Sequence, residues 1–166
     1  MIPLRGGRGR AWATGLILLL AAGCGVTPGS DVKIGYRNPT VTLAGTTRFD
    51  VDRFAGSWRR ISCLGECAAS VIYASGTDGT LLRRVGETVT SYTLSAPGVL
   101  REVEGDGTLV VMWVDDGYRT AAVGHADGQW AAILNRGKVS ADRTKAATEI
   151  LDFNGWDVSR LQGAGG

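Results

Sequence analysis

Few residues of this chain can do chemistry: three cysteines and a single histidine among 166 residues. Cys63 and Cys67 form a C-x3-C pair. A metal site on that spacing needs further ligands, and His125 lies far off in sequence. The C-x-x-C spacing of a redox pair is absent. In an oxidising compartment the two thiols are expected to close a small structural disulfide. His125 stands beside a turn signal, Asp127-Gly128, where a solvated or capping role is the ordinary one. No Ser/His/Asp arrangement, phosphate loop or metal cluster stands out. Asp115 and Asp116 precede Gly117 and read as turn residues. These residues predict a binding protein rather than an enzyme, with no catalytic residue, no cofactor and no metal.

The third cysteine sets the compartment. Arg5, Arg8 and Arg10 precede a short apolar run from Trp12 to Leu20. That run is too short to span a bilayer, so residues 1–23 read as a secretion signal. It ends in Leu20-Ala21-Ala22-Gly23-Cys24, which resembles a bacterial lipobox, with Ala21 where leucine is usual. The resemblance implies cleavage before Cys24, diacylation of its thiol and acylation of the new N-terminus, a multi-chain membrane anchor. The alternative is an ordinary signal-peptidase site near Ala21-Ala22-Gly23. Gly25, standing where aspartate would hold a lipoprotein at the inner membrane of enterobacteria, implies the outer membrane, facing the periplasm. Residues 24–45 read as a polar tether containing Thr27-Pro28-Gly29-Ser30, too poor in apolar residues to fold alone.

The full-chain charge is +2, but the three leader arginines inflate it; without them 15 basic residues face 16 acidic ones. A near-neutral mature protein has no basic patch of the kind nucleic-acid binding requires. Apolar or amphipathic small ligands, and other proteins, remain as partners.

The elements that must carry these residues are strands. The chain has 25 glycines, recurrent Val, Thr and Trp, and little helix patterning, which points to an all-β fold. Gly56-x-Trp58 opens a run over residues 57–62. Turn signals then separate runs over 69–75, 80–85, 88–94, 99–104, 108–114, 118–125 and 129–135. Links this short join antiparallel neighbours. Eight such strands in sequence predict an up-and-down β-barrel, which leaves no sheet edge. The strand Leu109-Val110-Val111-Met112-Trp113-Val114 is apolar on both faces and needs an outer cover. Ser140 as N-cap, apolar residues at helical spacing and the stop Asn154-Gly155 predict one C-terminal helix over residues 141–153, packed outside. Before the barrel, Asp50 is expected to cap a single helical turn. The folded unit is expected over residues 46–161, with 162–166 a disordered tail.

The order of these features resembles the bacterial lipoprotein lipocalins. Phe54-Ala55-Gly56-Ser57-Trp58 looks like the first lipocalin motif. Asp115-Asp116-Gly117-Tyr118-Arg119-Thr120-Ala121 looks like the second, and Ala132-Ile133-Leu134-Asn135-Arg136 like the third. Ile150 to Val158 is similar to the helix end of the bacterial subgroup. The resemblance spans about residues 49–161. It implies a structural cluster of Gly56, Trp58 and Arg136, with Arg136 packed across Trp58 and bonded to nearby carbonyls, a cation–π closure of one barrel end. Where family members often carry Tyr and Glu after the tryptophan, this chain has Arg59 and Arg60. Strand alternation sends one of them inward, where it needs a partner, a ligand carboxylate or a phosphate.

The resemblance implies binding, storage or transport of a small hydrophobic ligand such as a fatty acid or lysophospholipid, held by a membrane-anchored barrel. Arg60, Tyr73, Tyr92, Leu94, Met112 and Tyr118 are the expected lining. The alternative is a protein-binding barrel of the envelope protease-inhibitor kind, which a barrel filled by its own side chains would favour.

Overall fold

A computed structural model describes residues 35–163; the leader, Cys24 and residues 164–166 lie outside the described residues. A helical turn, α1 (Val51–Phe54), leads into strands β1 (Gly56–Leu64), β2 (Ser70–Ser75), β3 (Leu81–Val85), β4 (Thr88–Ala96), β5 (Val99–Glu102), β6 (Thr108–Val114), β7 (Thr120–His125) and β8 (Ala131–Asn135). Each pairs antiparallel with the next, and β1 pairs with both β2 (Trp58 opposite Val71) and β8 (Arg60 opposite Leu134), so the sheet closes. The expected barrel is therefore present, with α2 (Ala141–Phe153) packed outside it.

Two apolar clusters follow from strand alternation. The inner one contains Phe54, Trp58, Tyr73, Leu81, Tyr92, Leu100, Leu109 and Val111. The outer one lies between the barrel wall and α2 and contains Leu64, Val110, Met112, Ile133, Ala147, Leu151 and Trp156. β6 supplies both, as its two apolar faces require. Register shifts at Arg60/Ser62 in β1 and Val111/Trp113 in β6 mark bulges. Met112 shares the outward side of Val110, under the helix, so Met112 does not line the barrel; the β6 bulge acts after it, returning Val114 to the inner cluster. Leu94 adjoins a third shift in β4 and is 45% exposed near the β4–β5 turn; it does not line an enclosed space either.

α2 begins where Ser140 accepts a hydrogen bond from the Arg143 amide and ends at Asn154. Gly155 follows with φ +84°, a conformation suited to glycine. Trp156 then folds back flat against Gly124, where an added Cβ would lie 2.6 Å from the indole. The fold also extends further than the sequence suggests. Residues 36–46, read mostly as tether, lie along the barrel, with the Tyr36 amide donating to Gly128 O (2.7 Å) and the Thr46 amide to Val111 O (2.8 Å). Gln162–Gly163, read as tail, form a short strand, β9, beside Ser62–Cys63. These segments bond through backbone, which leaves little trace in side-chain pattern.

The Trp58 end is the closed end. The Trp58 indole donates to Phe54 O (2.9 Å), and the Phe54 ring packs 5.0 Å from Trp58 and 4.8 Å from Tyr73. The Arg136 guanidinium lies 3.8 Å above the Trp58 ring and donates to Ala55 O and Phe54 O (3.1 and 2.8 Å). This is the closure that the motif resemblance implies. Asp115 organises the β6–β7 link: its buried carboxylate accepts from the Thr120 amide (2.6 Å), the Arg119 amide and the Arg119 guanidinium (3.0 Å). Burial works against its ionisation, but the amides of Thr120 and Arg119 and the Arg119 charge outweigh it, so the carboxyl sits below its ordinary pKa.

Three outcomes are expected. Gly124→Val places a branched side chain against Trp156 and should cost at least 1–3 kcal/mol, roughly the cost of overpacking a core, read by denaturant unfolding. Replacing Cys63 and Cys67, which are disulfide-bonded, with alanine should cost about 2 kcal/mol by loop-closure entropy. A depressed carboxyl pKa stabilises the fold fully above the unfolded value and loses that contribution as pH falls through the folded value. Asp115→Asn should therefore lower Tm at pH 7, and the gap to the parent protein should narrow as pH drops below the carboxylate range.

Candidate ligand site at the open end of the barrel

The opposite end is bounded by the β1–β2, β3–β4, β5–β6 and β7–β8 links. Its inner wall is polar in a regular way. Strands β1, β3, β5 and β7 each send one ionisable side chain inward: Arg60, Arg83, Glu102 and His125. Register fixes these directions, because residues paired across a ladder share a face. Arg60 pairs with Leu134, Arg83 with Tyr73, Glu102 with Tyr92 and His125 with Leu109, and all four partners belong to the inner cluster. Of the two arginines after Trp58, Arg60 points inward and Arg59 is exposed outside.

Trp130 caps this ring. The Arg83 guanidinium lies 5.3 Å from its ring centre and His125 stacks at 6.1 Å. His125 Nδ1 is 2.8 Å from an Asp127 carboxylate oxygen. Arg60 donates through Nη1 to Cys67 O (2.7 Å), a carbonyl positioned by the Cys63–Cys67 disulfide. The Nε atoms of Arg60 and Arg83 are both buried and without a hydrogen-bond partner. Burial pushes the Tyr73 phenol up to about 12, against the lowering effect of Arg83. Burial also raises Tyr92, with Arg83 opposing and Glu102 adding to the shift. Both phenols are therefore neutral hydrogen-bonding groups at physiological pH.

Beneath Trp130, the space bounded by Cys67, Val71, Tyr73, Arg83 and Leu134 is about 10 Å³, close to the room one water needs. The barrel is filled by its own side chains. Around the rim, every link carries an exposed acid: Glu66, Glu87, Glu104 with Asp106, and Asp127. No lysine or arginine lies in residues 65–69, 86–87, 103–107 or 126–130. Among the described residues no group of three or more His, Cys, Asp or Glu side chains could hold a metal.

Of the residues expected to line the barrel, Arg60, Tyr73 and Tyr92 come together here. Tyr118 instead belongs to the closed end. Its backbone takes φ +52°, its hydroxyl donates to Arg48 O, and the Arg53 guanidinium covers its ring at 4.1 Å. Arg83, Glu102 and the inward turn of His125 are not apparent in the sequence reading. The signal that could have found Arg83 and Glu102 is parity, counted from Tyr73 and Tyr92 across the ladder.

No family model matches the chain, and no curated protein matches it. Among solved structures it is similar to the crystal structure of a major allergen of cockroaches, Per a 4, at 11% identity and a TM-score of 0.54; the match covers 76% of this chain and 94% of that one. At that identity the likeness is one of fold, and it agrees with the architecture above: a lipocalin-like closed barrel of eight antiparallel strands with one helix outside.

Proposed function

We propose that this protein binds a small amphipathic ligand at the open end of its barrel, with an anionic head on Arg60 and Arg83 and an apolar tail directed inward. The observation that carries this reading is the pair of inward arginines whose Nε donors are buried and unpartnered, an arrangement a carboxylate or phosphate would satisfy. Lipocalin-like barrels of eight strands have room for one small ligand at most. A fatty acid or lysophospholipid fits the chemistry, and its role would be storage or transport at a membrane to which Cys24 anchors the chain. The reading involves binding without catalysis.

The filled interior sets the terms. A tail enters only when Trp130, which is half-buried at the rim, swings aside. Each tail methylene then contributes about 0.8 kcal/mol, against roughly 1.5–3 kcal/mol for exposing a large apolar side chain. A few methylenes offset the opening, and the room released is that of one indole, so short tails should bind better than long ones. The same filled interior favours a second reading, a protein-binding barrel whose rim rather than its cavity makes the contact.

Native mass spectrometry with lipid extraction, joined to titration with fluorescent fatty acids of graded length, separates the two. Binding should favour the shorter chains and weaken about tenfold or more in Arg83→Gln, the loss expected for a hydrogen bond to a charged group. Trp130→Ala should bind more tightly by opening the interior. If neither the parent protein nor Trp130→Ala binds any chain, the ligand reading fails and the protein-binding one stands.

A further inference from the structure

A second concave feature lies at the other end, outside the barrel. A groove of about 510 Å³ runs between the β6–β7 link, the end of β8 and the first turn of α2. Four cationic side chains line it: Arg119, Arg136, Lys138 and Arg143. One carboxylate touches any of them among the described residues. Asp115 pairs with Arg119 at 2.9 Å and reaches Arg143 at 4.0 Å, and its oxygens already accept the two link amides. No carboxylate lies within 4.0 Å of Arg136 or Lys138 among the described residues. Asp142, in the first turn of α2, is exposed and makes no ion pair among the described residues.

The cations are also held in place. Arg143 donates through Nε to Thr120 Oγ1 (2.9 Å) and through Nη2 to Lys138 O (2.7 Å). Arg136 is fixed by two carbonyls and the Trp58 ring, while its Nε is buried without a partner. Gly137 has φ +76° with nothing within 4 Å of the position its Cβ would take, so the groove is open along this side. Like charges gathered by other bonds repel one another, and an oxyanion set among them relieves that repulsion while gaining charge-assisted hydrogen bonds with little ordering cost.

We propose that this groove is an oxyanion site for phosphate chemistry, either free phosphate or the phosphate of a headgroup. It lies on the outside of the closed end and is independent of the ligand reading above. Isothermal titration of the full protein with inorganic pyrophosphate and, separately, with glycerol 3-phosphate tests it. Saturable binding of pyrophosphate alone assigns free phosphates. Binding of glycerol 3-phosphate, with or without pyrophosphate, assigns headgroups. In both cases Lys138→Glu should weaken binding about tenfold or more, Lys138→Ala should fall between, and added salt should weaken all three proteins in parallel, as for exposed charges. Lys138 is exposed, so both variants should keep the parent Tm and the parent fatty-acid titration. Saturable binding of neither compound, or binding that Lys138→Glu leaves unchanged, overturns the proposal.

Discussion

The stacking of Arg136 on Trp58 joins the two ends of the sheet at one point. Trp58 is near the start of β1 and Arg136 directly follows β8, so the contact lies on the seam where the first and last strands meet. Hydrogen bonds alone would close the ladder but leave the end of the barrel open to water. The indole fills that end, the guanidinium covers the indole, and the carbonyls of Phe54 and Ala55 take the guanidinium's protons. The charge is thus partly desolvated and yet bonded, the condition under which a buried cation is tolerated. Phe54, Tyr73 and the α1 turn pack onto this plug, and the β6–β7 link bound to Asp115 folds over it.

The wall opposite the open solvent face is built on a different constraint. β6, β7 and β8 are buried on both sides, so their outer residues need a partner layer. The helix provides part of it through Ala147 and Leu151. Trp156 provides the rest, and its approach depends on the missing side chain at Gly124. Residues 36–46 extend the same cover along the barrel by backbone hydrogen bonds.

What the sequence reveals here depends on how local its cause is. The limits of α2 are legible because Ser140 and Asn154-Gly155 are local signals at its two ends. The two-faced burial of β6 is legible because both parities are apolar. The side each residue faces is less so. β6 is apolar at both parities, so its sequence does not say which set is inner. A count from Leu109 puts Met112 outside and a count back from Val114 puts it inside, because nothing in Val111-Met112-Trp113 announces the bulge between them. Leu94 fails for a different reason: it shares the side of its partner Leu100 but stands at the β4–β5 turn, where it is exposed. Arg83 and Glu102 escape notice because a charge within a strand reads as solvent-facing until cross-strand partners fix its side. The resemblance carried by the motif segments, by contrast, implies the stacking of Arg136 on Trp58 and its bonds to nearby carbonyls, which the structure identifies as those of Phe54 and Ala55.

The acidic rim bears on rates rather than on affinity. On the proposed reading, an anion bound for Arg60 and Arg83 must first pass links that carry negative charge and no positive charge. Its encounter is therefore slowed by repulsion at long range, although the site itself attracts it once inside. Such a barrier is screened by salt while the inner contacts, being buried, are screened much less. Association through this mouth should quicken as ionic strength rises, the reverse of the usual behaviour of a basic site, and uncharged or protonated carriers of the same head would pass the gate first.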